Sequence, residues 1–131
     1  MQLSSEILIK LDNIVGQSFV FTDEETRNRY GHDETEALVF PPNVVVKPST
    51  AIEISEILKI ANQYKIPVVP IGARTGLSGG ALSVQGGIGL SMERFNKILS
   101  IDEQNLQVIT EPGVITQVLR EAVSIPSIQV V

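Results

Sequence analysis

The stretch from Val44 to Ile71, VVVKPSTAIEISEILKIANQYKIPVVPI, leaves a folding chain few choices. Two β-branched runs flank a segment whose apolar residues recur at helical spacing. Thr50 and Glu53 form a capping box, in which each side chain can satisfy a free backbone N–H at the helix start. Ile54, Ile57, Leu58 and Ala61 line one face of the helix, and Pro67 prevents its continuation much beyond Lys65. Strand Val44–Lys47, this helix and strand Val68–Ile71 therefore make a β-α-β unit, a crossover that normally joins parallel strands in a right-handed sense.

The rest of the chain is punctuated less sharply. Ile7, Leu8, Leu11, Ile14 and Val15 predict a helix over 5–15 with one apolar stripe, capped by Gly16. Residues 23–30 are polar and read as a short exposed helix or turn. A strand at 88–92 precedes a hairpin of 97–102 and 106–110 about the polar turn 103–105. Residues 114–123 read as a helix with Ile115, Val118, Leu119 and Ala122 on one side. The tail SIPSIQVV, 124–131, is apolar and uncharged, and it reads as an interrupted chain rather than a finished domain edge.

Composition narrows the function classes. With 131 residues, 43% of them hydrophobic, the chain suits one globular domain with a real core. Ten scattered Lys and Arg against 15 Asp and Glu argue against a nucleic-acid partner, which needs a basic patch. The absence of cysteine rules out disulfides, iron–sulfur clusters and thiolate zinc sites in this chain, and fits a cytoplasmic protein. No apolar run reaches the length of about 18 residues that a transmembrane helix requires. The N-terminus lacks the basic and apolar regions of a secretory signal.

Between the second and third strands lies the run GARTGLSGGALSVQGG, 72–87. It fails the Walker A template, because Leu77 stands five residues after Gly72 and no lysine follows. It fails the Rossmann fingerprint as well: Gly87-Ile88-Gly89 opens a strand rather than a helix, and Met92 occupies the third glycine position. What remains is a turn series, 72–80, whose successive N–H groups can form a concave anion nest without any helix behind it. Thr75 and Ser78 add hydroxyl donors and Arg74 adds charge. The competing reading is a surface loop whose glycines only serve turns.

The text from Ile66 to Asp102, IPVVPIGARTGLSGGALSVQGGIGLSMERFNKILSID, closely resembles the FAD-binding segment of the FAD-linked oxidases, the superfamily of vanillyl-alcohol oxidase and p-cresol methylhydroxylase. The upstream YGHDETEALVFPPNVVVKPSTAIEISEIL and the downstream VITEPGV resemble the branch of the glycolate oxidase D-subunit and D-lactate dehydrogenase. The resemblance covers about 29–123. It implies an α+β fold: the first α/β subdomain of an FAD-binding domain plus the start of the second, truncated. Residues 1–30 would be a helical lead-in and 31–131 the partial FAD-binding domain, with its C-terminal part and the substrate-cap domain lacking.

The same resemblance assigns the loop Pro70, Ile71, Gly72, Ala73, Arg74, Thr75, Gly76, Leu77, Ser78, Gly79 and Gly80 to the FAD pyrophosphate. It puts Glu111, Pro112, Gly113 and Val114 beside the cofactor, with Pro48 at a strand end nearby; on spacing alone Glu-Pro-Gly is an ordinary turn. Some relatives attach FAD through a histidine in this loop. Thr75 holds the matching position here and the one histidine, His32, lies outside the loop, which implies non-covalent FAD. Asp33 and Thr35 match a family motif read as structural.

The implied whole enzyme oxidises a D-2-hydroxy acid, glycolate or D-lactate, passing hydride to flavin N5 and electrons on to an acceptor such as a partner subunit. No residue of this chain is assigned as the catalytic base, and no metal is expected. Alone the chain is expected to be inactive. Two alternatives are a non-catalytic FAD or pyrophosphate-binding module that needs a complementary chain or self-associates through its truncated face, and a functionless truncated product.

Overall fold

The computed structural model describes residues 2–124, so the tail 125–131 lies outside the described residues. In chain order the elements are α1 (Ser5–Val15), a 3₁₀ turn (Gln17–Phe19), β1 (Val20–Phe21), α2 (Glu24–Arg29), β2 (Val44–Val46) and α3 (Ala51–Tyr64). There follow β3 (Val68–Ile71), β4 (Ile88–Ser91), β5 (Ile98–Asp102), β6 (Gln107–Thr110) and α4 (Thr116–Ala122).

The helices begin and end where side chains or left-handed residues satisfy their free backbone groups. Ser4 caps α1, which stops at Gly16 with φ 91°. The α2 helix starts at Asp23, whose carboxylate accepts the Thr26 N–H at 2.8 Å. At α3 the Thr50 hydroxyl accepts the Glu53 N–H at 3.2 Å. The return bond of the expected capping box lands one residue earlier: the Glu53 carboxylate accepts the N–H of Ser49 at 2.6 Å. Lys65, at φ 53°, turns the chain out of α3 and lets the Ile66 N–H close on the Ala61 carbonyl at 2.8 Å.

The main sheet has the order β1-β2-β4-β3. Strand β4 runs parallel to both β2 and β3, so the β2-α3-β3 crossover skips one position and β4 fills it. Strand β1 adds antiparallel to β2. All three residues of β2 and all four of β4 are buried, as expected for central strands covered on both faces.

Alternation along the strands divides the core in two. Val44, Val46, Ile88 and Leu90 face a cluster built by Leu3, Ile7, Leu11 and Val15 around α1 and by Ile57, Ala61 and Ile66 around α3. The lead-in helix therefore shares the core of the sheet. Tyr64 binds α3 to α1, donating to Glu6 at 2.9 Å and accepting from Lys10 at 2.7 Å. On the opposite face Val45, Ile71 and Tyr30 form a smaller cluster with Phe21, Val69 and Ala81.

Two apolar expectations meet a different outcome, at Leu58 and at Ile115 with Val118, while the expected hairpin forms. Leu58 of α3 stays 45% exposed, because the core-facing stripe centres on Ile57 and Ala61. Ile115 and Val118 beside and within α4 are 65% and 50% exposed, and that helix buries none of its residues. Among the described residues the hairpin β5-β6 forms a two-stranded sheet of its own and leaves Leu99, Ile101 and Ile109 exposed.

Candidate cofactor-binding site

Three parallel strands deliver their carboxyl ends to one rim: Lys47 follows β2, Gly72 follows β3 and Met92-Glu93 follows β4. Open α/β sheets bind ligands outside these ends, where the chain leaves each strand as a loop. A cleft of about 400 Å³ lies there. Gly72, Ala73 and Arg74 line it together with Pro112, Gly113 and Val114, and so do Tyr30, Glu93 and Asn96. The segment after β6 reaches the cleft because the Gly113 N–H bonds the Phe95 carbonyl at 2.7 Å. A Cβ on Gly113 would collide with the carbonyls of Met92 and Phe95, so this approach needs glycine.

Within 72–80 of the loop after β3, Arg74 at φ 61° and Gly79 at φ 71° take left-handed backbone. The Arg74 guanidinium stacks over the Tyr30 ring, 4.8 Å from its centroid, and donates to the Arg29 carbonyl. Those contacts hold a non-glycine residue in a conformation it disfavours. The far half of the loop is tethered to 33–35: the Gly79 N–H donates to the Asp33 carboxylate at 3.1 Å, and the Glu34 N–H donates to the Gly76 carbonyl at 3.1 Å. Asp33 also accepts the Thr35 N–H at 2.8 Å. Hydrogen bonds from Thr35 first, and from Gly79 after it, hold the Asp33 carboxyl below its ordinary range.

The remaining glycines of the loop discriminate between its two readings. Gly79, Gly86 and Gly87 have φ of 71°, 70° and 83°, which explains glycine by conformation alone. Gly72, Gly76 and Gly80 do not have positive φ, and a Cβ on any of them would meet nothing within 4 Å. Neither the fold of the backbone nor the packing of the described residues requires glycine at these three positions. They leave bare backbone exposed, Gly72 at the cleft and Gly76 and Gly80 further along the loop.

A charged cluster stands beside this loop. The Glu93 carboxylate accepts from the Tyr30 hydroxyl at 2.7 Å and pairs with the Lys47 ammonium. Lys47 in turn lies over the rings of Phe21 and Tyr30, 4.8 and 5.4 Å from their centroids. Desolvation would raise the Glu93 carboxyl, but the hydrogen bonds from Lys47 and Tyr30, with the charges of Lys47 and Arg74, outweigh it and leave the group below its ordinary value. Lys47 shows the mirror image: burial pulls it down, and Glu93 and Tyr30 bring it above the ordinary lysine range.

Of the residues singled out in the sequence, Gly72, Ala73, Arg74, Pro112, Gly113 and Val114 converge on the cleft. Thr75, Gly76, Leu77, Ser78 and Gly80 sit exposed further along the loop, while the Gly79 amide is engaged by Asp33. Ile71 is buried in the sheet, and Pro70 is exposed on the edge strand β3, where its missing N–H leaves no ladder bond unmade. Pro48 is fully buried. Glu111 turns toward the hairpin, where its carboxylate accepts the Lys97 N–H at 2.9 Å. Tyr30, Glu93 and Lys47 were invisible as a site in the sequence, since 63 residues separate the first two and 46 the last two.

A bare-backbone loop, with Arg74 at the cleft and the Lys47–Glu93 pair beside it, stands at the ends of the parallel strands. The family model described as FAD binding domain matches residues 42–125. The chain is 33% identical over 102 residues to a probable mitochondrial D-lactate dehydrogenase of Danio rerio, covering 78% of this chain and 20% of the relative. It is 41% identical over 87 residues to the glycolate oxidase subunit GlcD of Bacillus subtilis (strain 168), covering 66% and 18%. Among solved structures it is similar to p-cresol methylhydroxylase with substrate bound, at 25% identity and TM-score 0.79 over 90% of this chain and 24% of that one.

The chain belongs to the FAD-binding domain family of the FAD-linked oxidoreductases, and its fold is the α+β FAD-binding fold of the vanillyl-alcohol oxidase and p-cresol methylhydroxylase type. It spans 18 to 24% of the length of these three proteins. Among the described residues no helix is long and apolar enough to cross a membrane.

Proposed function

We propose that this chain is the FAD-binding portion of a flavin-dependent oxidoreductase that acts on D-2-hydroxy acids, glycolate or D-lactate. The observation that carries the reading is the trio Gly72, Gly76 and Gly80, open backbone that the protein's own packing leaves unexplained. The names of the D-lactate dehydrogenase and glycolate oxidase relatives support the substrate class. When bound, FAD supplies the hydride acceptor for that oxidation, at N5. The chain's own residues bind and orient: Gly72–Arg74 offer amides to the pyrophosphate, Arg74 and Lys47 offer positive charge, and Gly113 holds the Pro112–Val114 turn against the same cleft.

Thr75 at the loop position supports attachment without a covalent bond. We take 31–131 as a partial FAD-binding domain and 1–30 as a lead-in that shares its core. The carboxylate at the cleft, Glu93, is committed to Lys47 and Tyr30 and is not a free base. Turnover is accordingly assigned to the whole protein, where a redox partner subunit would take the electrons, and not to these residues alone. A cytoplasmic location completes the proposal, on the cysteine-free composition.

The test is reconstitution. The purified chain is mixed with FAD and passed through gel filtration; co-elution of the visible flavin absorbance with the protein is expected, and its absence refutes the reading. Addition of D-lactate or glycolate with a dye acceptor should give no turnover by the chain alone.

The exposed Leu99, Ile109, Ile115 and Val118 favour a second reading, a non-catalytic FAD-binding module that completes its domain with a complementary chain or a second copy. A strictly monomeric species in light scattering at high concentration contradicts the self-associating form.

A further inference from the structure

The carboxylate of Glu93 occupies an unusual place for a site expected to hold a diphosphate. It lines the same cleft as Gly72, Ala73 and Arg74, and it accepts from both Tyr30 and Lys47. Lys47 lies over two aromatic rings with only 16% of its side chain exposed, so its ammonium faces Glu93 rather than open solvent. Arg74 is fixed on the other contact of Tyr30, its guanidinium over the ring and bonded to the Arg29 carbonyl. Two cations thus lie against one tyrosine at the rim, and one carboxylate neutralises them in part.

We infer that Glu93 is an internal counter-anion that screens Lys47 and Arg74 and thereby sets how strongly the cleft attracts a diphosphate. The identity of the ligand rests on the FAD reading; the screening rests on the geometry of these four side chains. With Glu93 charged, Arg74 and Glu93 at the cleft and Lys47 just behind Glu93 leave one net positive charge around Tyr30. Replacing Glu93 by glutamine keeps an oxygen for Tyr30 and Lys47 and leaves two. A carboxylate kept only to bind Lys47 for stability would make the opposite prediction, since its loss would loosen the rim and weaken any ligand held there.

Inorganic pyrophosphate is the probe, titrated into the full chain and followed by the amide shifts of Gly72, Ala73 and Arg74. Glu93→Gln should bind it about five- to tenfold tighter than the wild type at low salt, with a steeper loss of affinity as salt is added. Glu93→Asp should keep wild-type affinity. Lys47→Gln, which leaves Glu93 uncompensated, should bind about tenfold more weakly. Equal or weaker binding by Glu93→Gln overturns the inference, as does the absence of pyrophosphate binding by both proteins. Should Glu93→Gln fail to fold, Lys47→Gln decides: unchanged affinity there overturns the inference. FAD retention by the wild type is scored separately. A chain that holds no FAD yet shows this order of pyrophosphate affinities defeats the cofactor reading and leaves the screening role standing.

Discussion

The carboxylate of Asp33 accepts the backbone N–H of Gly79 across 46 residues of sequence, at 3.1 Å. With the neighbouring bond from Glu34 to the Gly76 carbonyl, it makes the segment after α2 the external anchor of the glycine-rich loop. Replacement of Asp33 by alanine should speed hydrogen exchange at the Gly79 amide by at least about tenfold, the loss expected when a charge-assisted bond is removed. FAD affinity should fall with it. An unchanged exchange rate would mean that the loop holds its own shape.

The same contact has a pH dependence. Asp33 is held below its ordinary value in the folded chain, so the tether is present at neutral pH and is lost as the pH falls through that lowered value. The protection factor of the Gly79 amide should stay flat through mild acid and drop only beneath the usual carboxylate range. A drop near neutral pH would contradict the assignment.

Glycine-to-alanine substitutions should separate ligand space from structural space. Gly76→Ala meets nothing within 4 Å and needs no positive φ, so thermal stability should hold or rise by about 0.4–1 kcal/mol. FAD binding should nevertheless weaken, by about tenfold or more, an expectation set by the loss of a single good backbone contact to an anion. Gly87→Ala drives a Cβ onto the Pro67 carbonyl at φ 83° and should destabilise by more than about 1 kcal/mol. Parallel thermal melts and FAD titrations check both; equal stability losses in the two variants would remove the distinction.

The two faces of α3 make opposite predictions for stability. Ile57 is wholly buried against α1 and the sheet, and Ile57→Ala should cost about 2–5 kcal/mol. Ile52, 76% exposed, should tolerate alanine within about 0.5 kcal/mol. Urea unfolding of both variants measures the contrast.

Thr75 in place of a histidine gives a chemical prediction. Acid precipitation of the FAD-loaded chain should release all of the flavin to the supernatant. Yellow pellet that survives washing would show covalent attachment at another residue.

Much of this architecture was legible locally. Thr50 with Glu53, Gly16 and Pro67 marked the helix ends because caps and breakers act within one turn of themselves. The β-branched runs marked β2 and the edge strand β3, and the apolar stretch after the glycine-rich loop marked β4; β2 and β4 are central strands covered on both faces. Strand order was not legible: β4 inserts between β2 and β3 through packing that no spacing records. Strand β1 escaped notice for a related reason, since its two residues are held by pairing with Val45 and Val46 and not by any pattern of their own. At the site, Gly72–Arg74 and Pro112–Val114 could be named from the text that resembles the family. The Tyr30–Glu93–Lys47 cluster could not, because three ordinary surface residue types signal a site only once the sheet brings them together.

The most direct test of the central claim is an amide-resolved titration of the full chain with FAD. Binding at the carboxyl ends of β2, β3 and β4 should shift Gly72, Ala73 and Arg74 most, with Gly113 and Val114 following and the exposed face of α3 unmoved. Shifts confined to α3 or to the β5-β6 hairpin, or no shifts with FAD in excess, would contradict the assignment of the loop to the cofactor.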